Sequence, residues 1–461
     1  MTETTLSVRA PFDGGMISET AMTTAAEAEG CLARMVAAHA AGPLPLPDRI
    51  ATLRRVAAAV RARRDAFAEG IAREGGKPLV DARVEVDRAA SGLEYLAGEG
   101  ERLAGSAIPM GATAASTGRV AFTLRKPIGP VFAISAFNHP LNLVVHQVGP
   151  ALIAGCPVLV KPALETPLTC LAFLELLREA GVPREWADAV LVENELAESI
   201  AKDARIAFVS FIGSANVGWR LRSLIAPGTA IALEHGGAAP VIVDASADVP
   251  RAAALIAKGG YYHSGQVCVS VQRVIAHVDI AAQLGDALAA EVDRLVVGDP
   301  LDLATSVGPL IRARDVARVE SWVDEARNGA ATIVRGGARV GHQAYAPTLL
   351  ENVSDTARIL RQEIFGPCVV LMSASSLDQA IAMANSARWK FQSAVFTKDI
   401  GHAMHAARKL DATTVLVNDH TAFRTDWMPF GGRGESGLGT GGHPYSVREL
   451  APETLVVFNG A

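Results

Sequence analysis

The chain has 461 residues, of which 50% are hydrophobic and 20% are charged, and its formal net charge is −5 at pH 7. This composition is typical of a globular protein and excludes a disordered chain, and the length suits two or three domains with a large buried core. The mild negative charge gives no electrostatic reason to expect a nucleic acid or an anionic membrane as a partner.

The cysteines are few and scattered, namely Cys31, Cys156, Cys170, Cys268 and Cys368. Their odd number and the lack of any C-x-x-C pair argue against a disulfide framework and against a zinc site. Residues 1–5 lack the basic and apolar regions of a secretory signal, and the uncharged stretch 127–160 contains polar residues that a lipid core would penalise. We therefore expect a cytoplasmic protein with no bound metal and no membrane partner.

The N-terminal part of the chain has a helical pattern. Apolar residues recur three and four positions apart through residues 23–104, and prolines at 43, 45 and 47 interrupt the repeat. This spacing predicts two or three amphipathic helices, with an arginine-rich solvated face over residues 54–64. Residues 118–127 then alternate between apolar and polar or small side chains, which predicts an extended segment.

Short β-rich runs alternate with helix-like segments in the next part of the chain. The predicted strands are 131–134, 158–160, 189–192, 207–211 and 230–233, and helices are predicted at 168–180 and 216–225. This alternation predicts an α/β fold with a doubly wound parallel sheet. Because dinucleotides bind at the carboxyl ends of such strands, Asn138, Lys161 and Ser214 are well placed for a cofactor.

A second alternating block follows Glu234. Strands are predicted at 241–243, 271–276, 332–334, 393–396 and 413–417, with helices at 249–261, 314–328 and 377–384. This block predicts a second α/β domain. Residues 454–458 form one more predicted strand, which we expect to pair with a partner subunit because no later segment can fold back onto it.

A loop that ends in a cysteine carries the clearest chemical signal. Ser264-Gly265-Gln266-Val267-Cys268 leads into an apolar, β-branched run, so the thiol is presented at the mouth of a strand. The thiolate is the reactive form, and a free cysteine has a pKa near ~8.5, so a nucleophile needs a device that removes its proton. Glu234 follows the run 230–233 and is a candidate base. Taken alone, Cys268 can equally be a small buried hydrophobe.

Six short motifs occur in a fixed order along the chain. They are Ala136-Phe137-Asn138-His139-Pro140, Phe211-Ile212-Gly213-Ser214, Glu234-His235-Gly236-Gly237, Gly265-Gln266-Val267-Cys268, Glu363-Ile364-Phe365-Gly366-Pro367 and Pro429-Phe430-Gly431-Gly432. The order of these motifs, and the number of residues between Glu234 and Cys268, match one known family. In both respects the chain resembles the NAD(P)-dependent aldehyde dehydrogenase superfamily over nearly its whole length.

The resemblance implies an architecture of three parts. Residues 1–110 and 131–233 would form the cofactor-binding domain, and residues 234–440 the catalytic domain. Residues 111–130 and 441–461 would form a small β oligomerisation element, through which members of the family form homodimers or homotetramers.

The resemblance also implies a mechanism. Cys268 would add to the aldehyde carbonyl, and hydride loss from the thiohemiacetal would leave a thioester. Asn138 and the backbone N–H of Cys268 would stabilise the alkoxide, and Glu234 would activate water for thioester hydrolysis. Relatives that pass the acyl group to coenzyme A generally lack this glutamate, so water is the expected acceptor. Taken alone, Asn138 is better explained as a turn residue.

Cofactor residues follow from the same resemblance. Lys161 would contact the adenosine ribose, Glu363 the nicotinamide ribose, and Phe365 would pack beside the ring, with Phe137 nearby. Gly213 and Ser214 open a helix whose N-terminus suits a pyrophosphate. The usual G-x-G-x-x-G fingerprint is absent.

Three positions depart from the family pattern. NAD-preferring relatives often carry a glutamate where this chain has Leu164, with Glu165 one residue later, so the cofactor is NAD or NADP without a resolved preference. His139 and His235 stand where apolar or aromatic residues are common. Either histidine would tune Cys268 or simply fill space.

The substrate is expected to be a small aldehyde with an anionic tail, such as phosphonoacetaldehyde or a phosphorylated or hydroxylated short aldehyde. The candidate substrate residues are Val267, Val269, Arg424 and Trp427, with Arg424 holding the tail. A bulky apolar or aromatic aldehyde is the alternative substrate. Two other classes stay open from the sequence, a thiol hydrolase that uses Cys268 and Glu234 and a non-catalytic relative.

Overall fold

The computed structural model describes residues 4–460. The ends of the predicted cofactor-binding domain and of the predicted oligomerisation element, residues 1–3 and 461, lie outside the described residues. The described chain opens with an antiparallel hairpin of β1 (Thr5–Arg9) and β2 (Met16–Ala21). Four helices follow, α1 (Ala25–Ala41), α2 (Leu46–Ala62), α3 (Arg64–Gly75) and α4 (Leu79–Glu101).

The sequence predicted only two or three helices in this region. Arg63 alone separates α2 from α3, so the apolar repeat runs across their junction without a visible break. Pro45 and Pro78 stand immediately before α2 and α4, where a proline suits a helix start. These two prolines fix where the helices begin.

Strands and helices then alternate as predicted. After β3 (Ala107–Ile108) and β4 (Arg119–Arg125), which belong to a small separate sheet, the elements are β5 (Val131–Ile134), α5 (Asn142–Ala154), β6 (Val158–Lys161), α6 (Pro167–Glu179), β7 (Ala187–Ala189), α7 (Asn194–Ala201), β8 (Phe208–Ile212), α8 (Ala215–Leu224) and β9 (Ala230–Glu234).

These five strands form a parallel sheet in the order β9-β8-β5-β6-β7. The chain moves outward from β5 to β7 and then returns to β8 on the other side of β5. The gap between the ends of β5 and β8 is therefore a topological switch point, where such sheets bind ligands. The doubly wound α/β prediction is confirmed.

One predicted strand of this sheet is displaced. The sequence placed it at 189–192, whereas β7 covers Ala187–Ala189. Leu191 has left the ladder because its backbone exchanges hydrogen bonds with Thr23, whose N–H donates to the Leu191 carbonyl at 2.8 Å and whose hydroxyl accepts at 2.9 Å. A long-range contact thus overrides the local β pattern.

The second α/β block begins after Glu234. Its elements are β10 (Ala239–Val243), α9 (Val249–Tyr261), β11 (Val271–His277), α10 (Val278–Val292), α11 (Ala313–Asn328), β12 (Thr332–Arg335), β13 (Arg339–Val340), β14 (Ala344–Tyr345), β15 (Thr348–Glu351), α12 (Arg358–Arg361), β16 (Cys368–Ala374), α13 (Leu377–Asn385), β17 (Trp389–Lys390), β18 (Gln392–Phe396), α14 (Ile400–Lys409) and β19 (Thr414–Val417).

Seven of these strands form one sheet in the order β12-β15-β16-β11-β10-β18-β19. All neighbours are parallel except β12 and β15. The sequence predicted this second domain but not β15, β16 or α10. Both β12 and β11 were predicted, but they are not neighbours in the sheet because β15 and β16 lie between them.

The chain ends with β20 (Arg433–Gly434), β21 (Gly437–Leu438), α15 (His443–Leu450) and β22 (Glu453–Asn459). β21 joins the cofactor sheet as an antiparallel edge strand, with Gly437 opposite Glu234. β22 pairs with β4 of the same chain along its full length, and β3 flanks β4 on the other side. One edge of β22 therefore stays open in the described chain.

The core that positions the site lies under the cofactor sheet. Every residue of α5 is buried, and α5 packs on α4 and α15.

Within residues 4–460, no helix has both the length and the apolar composition that crossing a membrane requires.

Candidate active site

A cleft of about 1600 Å³ runs between the two α/β domains. It opens at the carboxyl ends of β5, β6 and β8, where the switch point lies, and reaches across to the loop before β11. The predicted residues that line it are Phe137, Asn138, Lys161, Gly213, Ser214, Glu234, Val267, Cys268, Val269, Glu363, Phe365 and Arg424. The fold thus brings the motifs from both domains to one place.

The loop that carries Cys268 has an unusual backbone. His263, Ser264 and Gly265 all have left-handed φ values, of 46°, 57° and 68°. A Cβ on Gly265 would lie 2.1 Å from the carbonyl oxygen of Gly366, so only glycine fits there. The Ser264 hydroxyl donates to the Gly308 carbonyl at 2.7 Å. This strained turn ends the preceding helix and directs Cys268 into the cleft, three residues before β11 begins.

Asn138 lies directly against the cysteine loop. Its side-chain Nδ2 donates to the backbone carbonyl of Gln266 at 3.0 Å, and Gln266 Oε1 in turn accepts from the Ile311 N–H at 2.9 Å. One N–H of the Asn138 amide is thereby fixed. The second N–H of the amide has no partner among the hydrogen bonds of the described residues and stays free to donate.

The turn after Asn138 is fixed from the core. Glu85 Oε1 accepts from the backbone N–H groups of Leu141 and Asn142, at 2.9 and 3.1 Å, and so caps the start of α5. The charge of Glu85 is matched by Lys77, and both side chains are fully buried. Because removal of one partner would leave a buried, unpaired charge, this pair holds the Asn138 turn in one place.

Burial dominates the electrostatics of the proposed nucleophile. It raises the pKa of the Cys268 thiol to about 12, and the carboxyl groups of Glu363 and Glu234 act in the same direction. Arg424 opposes this shift because its positive charge favours the thiolate. Without substrate and cofactor, Cys268 is therefore a neutral thiol that needs a base.

The pH dependence of alkylation tests this state. Iodoacetamide should modify Cys268 faster at each higher pH from neutral to strongly alkaline, because the thiolate fraction keeps rising. In Arg424→Ala, modification should be slower at every pH. Intact-mass kinetics in a Cys31→Ser background would follow it, since Cys156, Cys170 and Cys368 are buried. A plateau near neutral pH would contradict the raised pKa.

Glu234 ends β9 and faces the same cleft. Burial raises the pKa of its carboxyl group, and the positive charge of Arg424 opposes that shift. The backbone of Gly441 packs against this carboxylate so closely that a Cβ there would lie 2.2 Å from Glu234 Oε1. A carboxylate with a raised pKa, next to a thiol and open to a cleft, suits a general base.

Arg424 is the notable cation of the site. Its guanidinium stacks on the Phe430 ring, with Cζ 3.5 Å from the ring centroid, and Nη2 lies 3.3 Å from His146 Nδ1. Nε is buried without a hydrogen-bond partner, and no carboxylate among residues 4–460 forms a salt bridge with this arginine. The charges of Glu234 and Asp426 oppose the lowering of the Arg424 pKa by burial, but neither carboxylate is paired with it. A half-buried cation without a paired anion is suited to an anionic ligand.

Trp427 does not take the position that the sequence predicted. It does not line the cleft; its side chain is half exposed and stacks on Tyr95 at a centroid distance of 5.7 Å. The reason is its neighbour Asp426, whose carboxylate is drawn into the core by Arg88 at 2.6 Å, so Trp427 faces outward. Its role in substrate binding stays a prediction.

The cofactor half of the cleft contains features that fit a dinucleotide. Ser214 precedes α8 without capping it through its side chain, which leaves backbone N–H groups at the helix start for a phosphate. Glu363 Oε1 accepts from the Gly237 N–H at 3.1 Å, and a Cβ on Gly236 would overlap that oxygen at 1.6 Å. Burial raises the pKa of Glu363 to about 8. Gly236 thus leaves a space beside the Glu363 carboxyl group that any side chain would fill.

The aromatic residues of the cofactor half lie together. The rings of Phe137 and Phe365 meet edge to face at a centroid distance of 5.9 Å, and Arg312 lies over Phe137 at 5.4 Å. Phe365 has a left-handed φ of 47°, which turns its ring toward the cleft side of the loop. These two rings form one wall of the pocket where the resemblance places the nicotinamide.

The region expected to distinguish NAD from NADP has no carboxylate at position 164, although Glu193 also lines the cleft. Leu164 lines the cleft, and Glu165 is engaged by Arg312 from the other domain, whose Nε donates to Glu165 Oε1 at 2.6 Å. Burial lowers the pKa of Lys161, although Glu165 and Glu193 oppose that shift. Nothing at position 164 itself would repel a 2′-phosphate.

His139 and His235 both pack rather than contact Cys268. His139 Nε2 lies 3.1 Å from the Tyr262 hydroxyl, and His235 Nδ1 lies 2.9 Å from the Gly213 carbonyl. Burial lowers the pKa of both rings, so both are neutral near pH 7.

Nothing in the sequence pattern singled out a polar cluster beside the site. Asp426 accepts from Arg88, from Asn142 Nδ2 at 3.1 Å and from His146 Nε2 at 2.8 Å. Asn142 and His146 are four residues apart on a mostly apolar helix, where the only other polar side chain is that of Gln147. That spacing was the one signal in the sequence that could have indicated the cluster.

The sequence model of the "Aldehyde dehydrogenase family" matches residues 1–454. The chain belongs to the aldehyde dehydrogenase family. It is an NAD(P)-dependent oxidoreductase that acts on an aldehyde, which confirms the resemblance and excludes the thiol hydrolase class.

Three similar proteins illustrate the family. The chain is 39% identical over 413 residues to a 3-sulfolactaldehyde dehydrogenase of Priestia aryabhattai, covering 89% of this chain and 86% of that protein. It matches aldehyde dehydrogenase 21 of Physcomitrella patens, solved with the reaction product succinate, with a TM-score of 0.96, 31% identity and coverage of 99% and 96%. It also matches an NADP complex of glyceraldehyde-3-phosphate dehydrogenase of Methanocaldococcus jannaschii, with a TM-score of 0.94, 30% identity and coverage of 99% of each chain.

Proposed function

We propose that this aldehyde dehydrogenase oxidises a short aldehyde with an anionic tail to the carboxylic acid, with Cys268 as nucleophile and Glu234 as general base. The observation that carries the proposal is Arg424, a cation that faces the cleft beside both groups and forms no salt bridge with a carboxylate within residues 4–460. An anionic tail would supply the missing counter-charge.

The substrates and products in the names of the three similar proteins support this substrate class. Sulfolactaldehyde carries a sulfonate, glyceraldehyde 3-phosphate carries a phosphate, and succinate has a second carboxylate beyond the one that oxidation creates. Each of these molecules therefore has an anionic group away from the reacting carbon, and Arg424 is the group that would bind it here.

The residues of the site support each step that the protein itself performs. Cys268 loses its proton and adds to the carbonyl carbon, and Asn138 Nδ2 and the Cys268 backbone N–H stabilise the resulting alkoxide. Bound NAD(P)⁺, held by Lys161, the start of α8 and Glu363, supplies the hydride acceptor. Glu234 then takes a proton from water, which attacks the thioester and releases the acid and the Cys268 thiol.

Matched aldehydes test the proposed substrate class. Absorbance of the reduced nicotinamide would be followed with succinic semialdehyde and with pentanal, and with NAD⁺ and NADP⁺ separately, in the absence of coenzyme A. We expect kcat/KM to be at least about tenfold higher for the anionic aldehyde, and Arg424→Ala to remove most of that preference. Higher kcat/KM for pentanal or an aromatic aldehyde would support the apolar alternative.

The cofactor preference is tested by one substitution. Because Leu164 itself carries no charge to repel a 2′-phosphate, both dinucleotides should be used, and Leu164→Glu should reduce kcat/KM with NADP⁺ by at least about tenfold by charge repulsion. The kcat/KM with NAD⁺ should change little. Leu164→Gln, of similar size and without charge, is the matched control, and an equal loss with both dinucleotides would contradict the charge explanation.

We also propose that the chain forms a homodimer or homotetramer through the sheet β22-β4-β3. Strands β4 and β22 lie within the predicted oligomerisation element, and β3 lies just before it. The exposed apolar side chains on the two faces of this sheet are Ile108, Val120, Leu124, Leu455, Val457 and Phe458. Such apolar faces beside an open strand edge are suited to a second copy of the chain. The five free cysteines are consistent with a cytoplasmic location.

Light scattering after size exclusion tests the assembly. Wild-type protein should elute as an oligomer, and Leu455→Asp with Val457→Lys should shift it toward the monomer mass, because both side chains are exposed on β22. Substitution of the exposed Ile400 on α14 by Asp is the control. A monomeric wild-type protein would contradict the proposed assembly.

A further inference from the structure

Arg424 is held by a chain of buried polar side chains that has no assigned role. Arg88 of α4 donates to Asp426 through Nη2 at 2.6 Å and Nε at 3.2 Å, and His146 of α5 binds the same carboxylate through Nε2 at 2.8 Å. His146 Nδ1 then lies 3.3 Å from Arg424 Nη2. His443 stacks on His146 with ring centroids 4.1 Å apart.

The chemistry of these groups fixes which nitrogen of His146 carries its proton. An ionised Asp426 can only accept, so His146 Nε2 must donate to it, and an arginine can only donate, so His146 Nδ1 must accept from Arg424. Burial lowers the pKa of His146 to about 4, and the hydrogen bonds from His146 and Arg88 hold the pKa of Asp426 well below its usual range despite burial. The pair is therefore a neutral imidazole on an ionised carboxylate.

We infer that His146, held in one tautomer by Asp426, is the positioning residue that aims the Arg424 guanidinium at the anionic tail of the substrate. This inference rests on the proposed function. The Phe430 ring, 3.5 Å from Arg424 Cζ, sets the plane of the guanidinium, and the hydrogen bond to His146 sets its rotation within that plane.

A neutral acceptor suits this task better than a carboxylate would. A carboxylate in contact with Arg424 would neutralise it and would repel the substrate tail. In the observed arrangement the negative charge of Asp426 is matched by Arg88 on the far side of the imidazole. Glu234 also favours the charged form of Arg424 but forms no salt bridge with it within residues 4–460, so the guanidinium stays available to a ligand. Burial and the neighbouring His146 hold the pKa of His443 well below its usual range, so that ring adds no second positive charge.

A mutant cycle on the full-length enzyme tests the inference. KM and kcat would be measured with succinic semialdehyde and with pentanal for wild type, His146→Phe, Arg424→Ala and the double variant. We expect His146→Phe to raise KM for the anionic aldehyde by about tenfold and to leave KM for pentanal and both kcat values near wild type. In the Arg424→Ala background, His146→Phe should cause no further rise.

Two further variants exclude a general loss of structure. His146→Gln keeps a group that can bond both neighbours and should recover part of the preference for the anionic aldehyde, whereas His277→Phe at the end of β11 should change neither KM. Equal losses for both aldehydes, or additive effects in the double variant, would overturn the positioning role. If Arg424→Ala itself leaves KM for the anionic aldehyde unchanged, the proposed tail site fails as well.

Discussion

Glu234→Gln is expected to complete one oxidation and then stop. The variant keeps Cys268, Asn138 and the cofactor residues, so it should release one equivalent of reduced nicotinamide per site in a rapid burst. Steady-state turnover should fall by about 10²–10⁴, because no base then activates the water that attacks the thioester. Stopped-flow absorbance would show the burst, and intact mass would show the acyl group on Cys268.

The same experiment separates two roles of this glutamate. If Glu234 also deprotonates Cys268, the burst itself will slow together with the steady state. Glu435→Gln, an exposed carboxyl that pairs with Arg388, is the control and should match wild type. The raised pKa of Glu234 adds a pH test: the base is lost as it is protonated, so wild-type kcat should fall as pH drops through a value above 4.5. A Glu234→Gln enzyme with full steady-state turnover would refute the assignment.

Cys268→Ala is expected to abolish turnover while preserving cofactor binding. Removal of a covalent nucleophile should lower kcat by at least about 10⁴, because hydride loss needs the tetrahedral adduct that the thiolate forms. The dissociation constants for NAD⁺ and NADP⁺ should stay within about twofold of wild type, since the dinucleotide residues come from other loops. Rate measurements and calorimetric titration would check both expectations.

Cys156→Ala is the matched control for this variant. Cys156 is buried and does not line the cleft, so its loss should leave kcat unchanged and affect stability alone. Measurable aldehyde oxidation by Cys268→Ala at the wild-type rate would remove Cys268 from the mechanism. Loss of cofactor binding in the same variant would instead indicate that the cysteine loop had collapsed.

The sequence predicted the alternation of strands and helices in both domains because parallel strands buried on both faces carry continuous apolar runs, although it missed β15, β16 and α10. It failed where tertiary contacts decide. Leu191 leaves its predicted strand because Thr23 binds its backbone, and the helices α2 and α3 could not be separated from a repeat that continues across Arg63. Such contacts join residues that are far apart in the chain.

The site shows the same division. The motifs identified Cys268, Glu234 and Asn138, and the fold brings all three to one cleft. The Asp426 cluster was not predicted, because Arg88, His146 and Asp426 come from three distant segments and share no motif. Trp427 was predicted beside the substrate, and in the structure it does not line this cleft. Its closeness to Arg424 in sequence does not reveal that Asp426 between them turns inward and directs Trp427 outward.

The backbone contact between Gly265 and Gly366 connects the loop of the proposed nucleophile with the loop of the expected cofactor residues. The loop that presents Cys268 and the loop that carries Glu363 and Phe365 touch backbone to backbone, and Arg318 ties the second loop further through the Ile364 carbonyl at 3.1 Å. The position of the thiol is therefore coupled to the position of the residues expected beside the nicotinamide. A side chain at Gly265 would have to push the two loops apart, so it would disturb the expected cofactor site together with the cysteine.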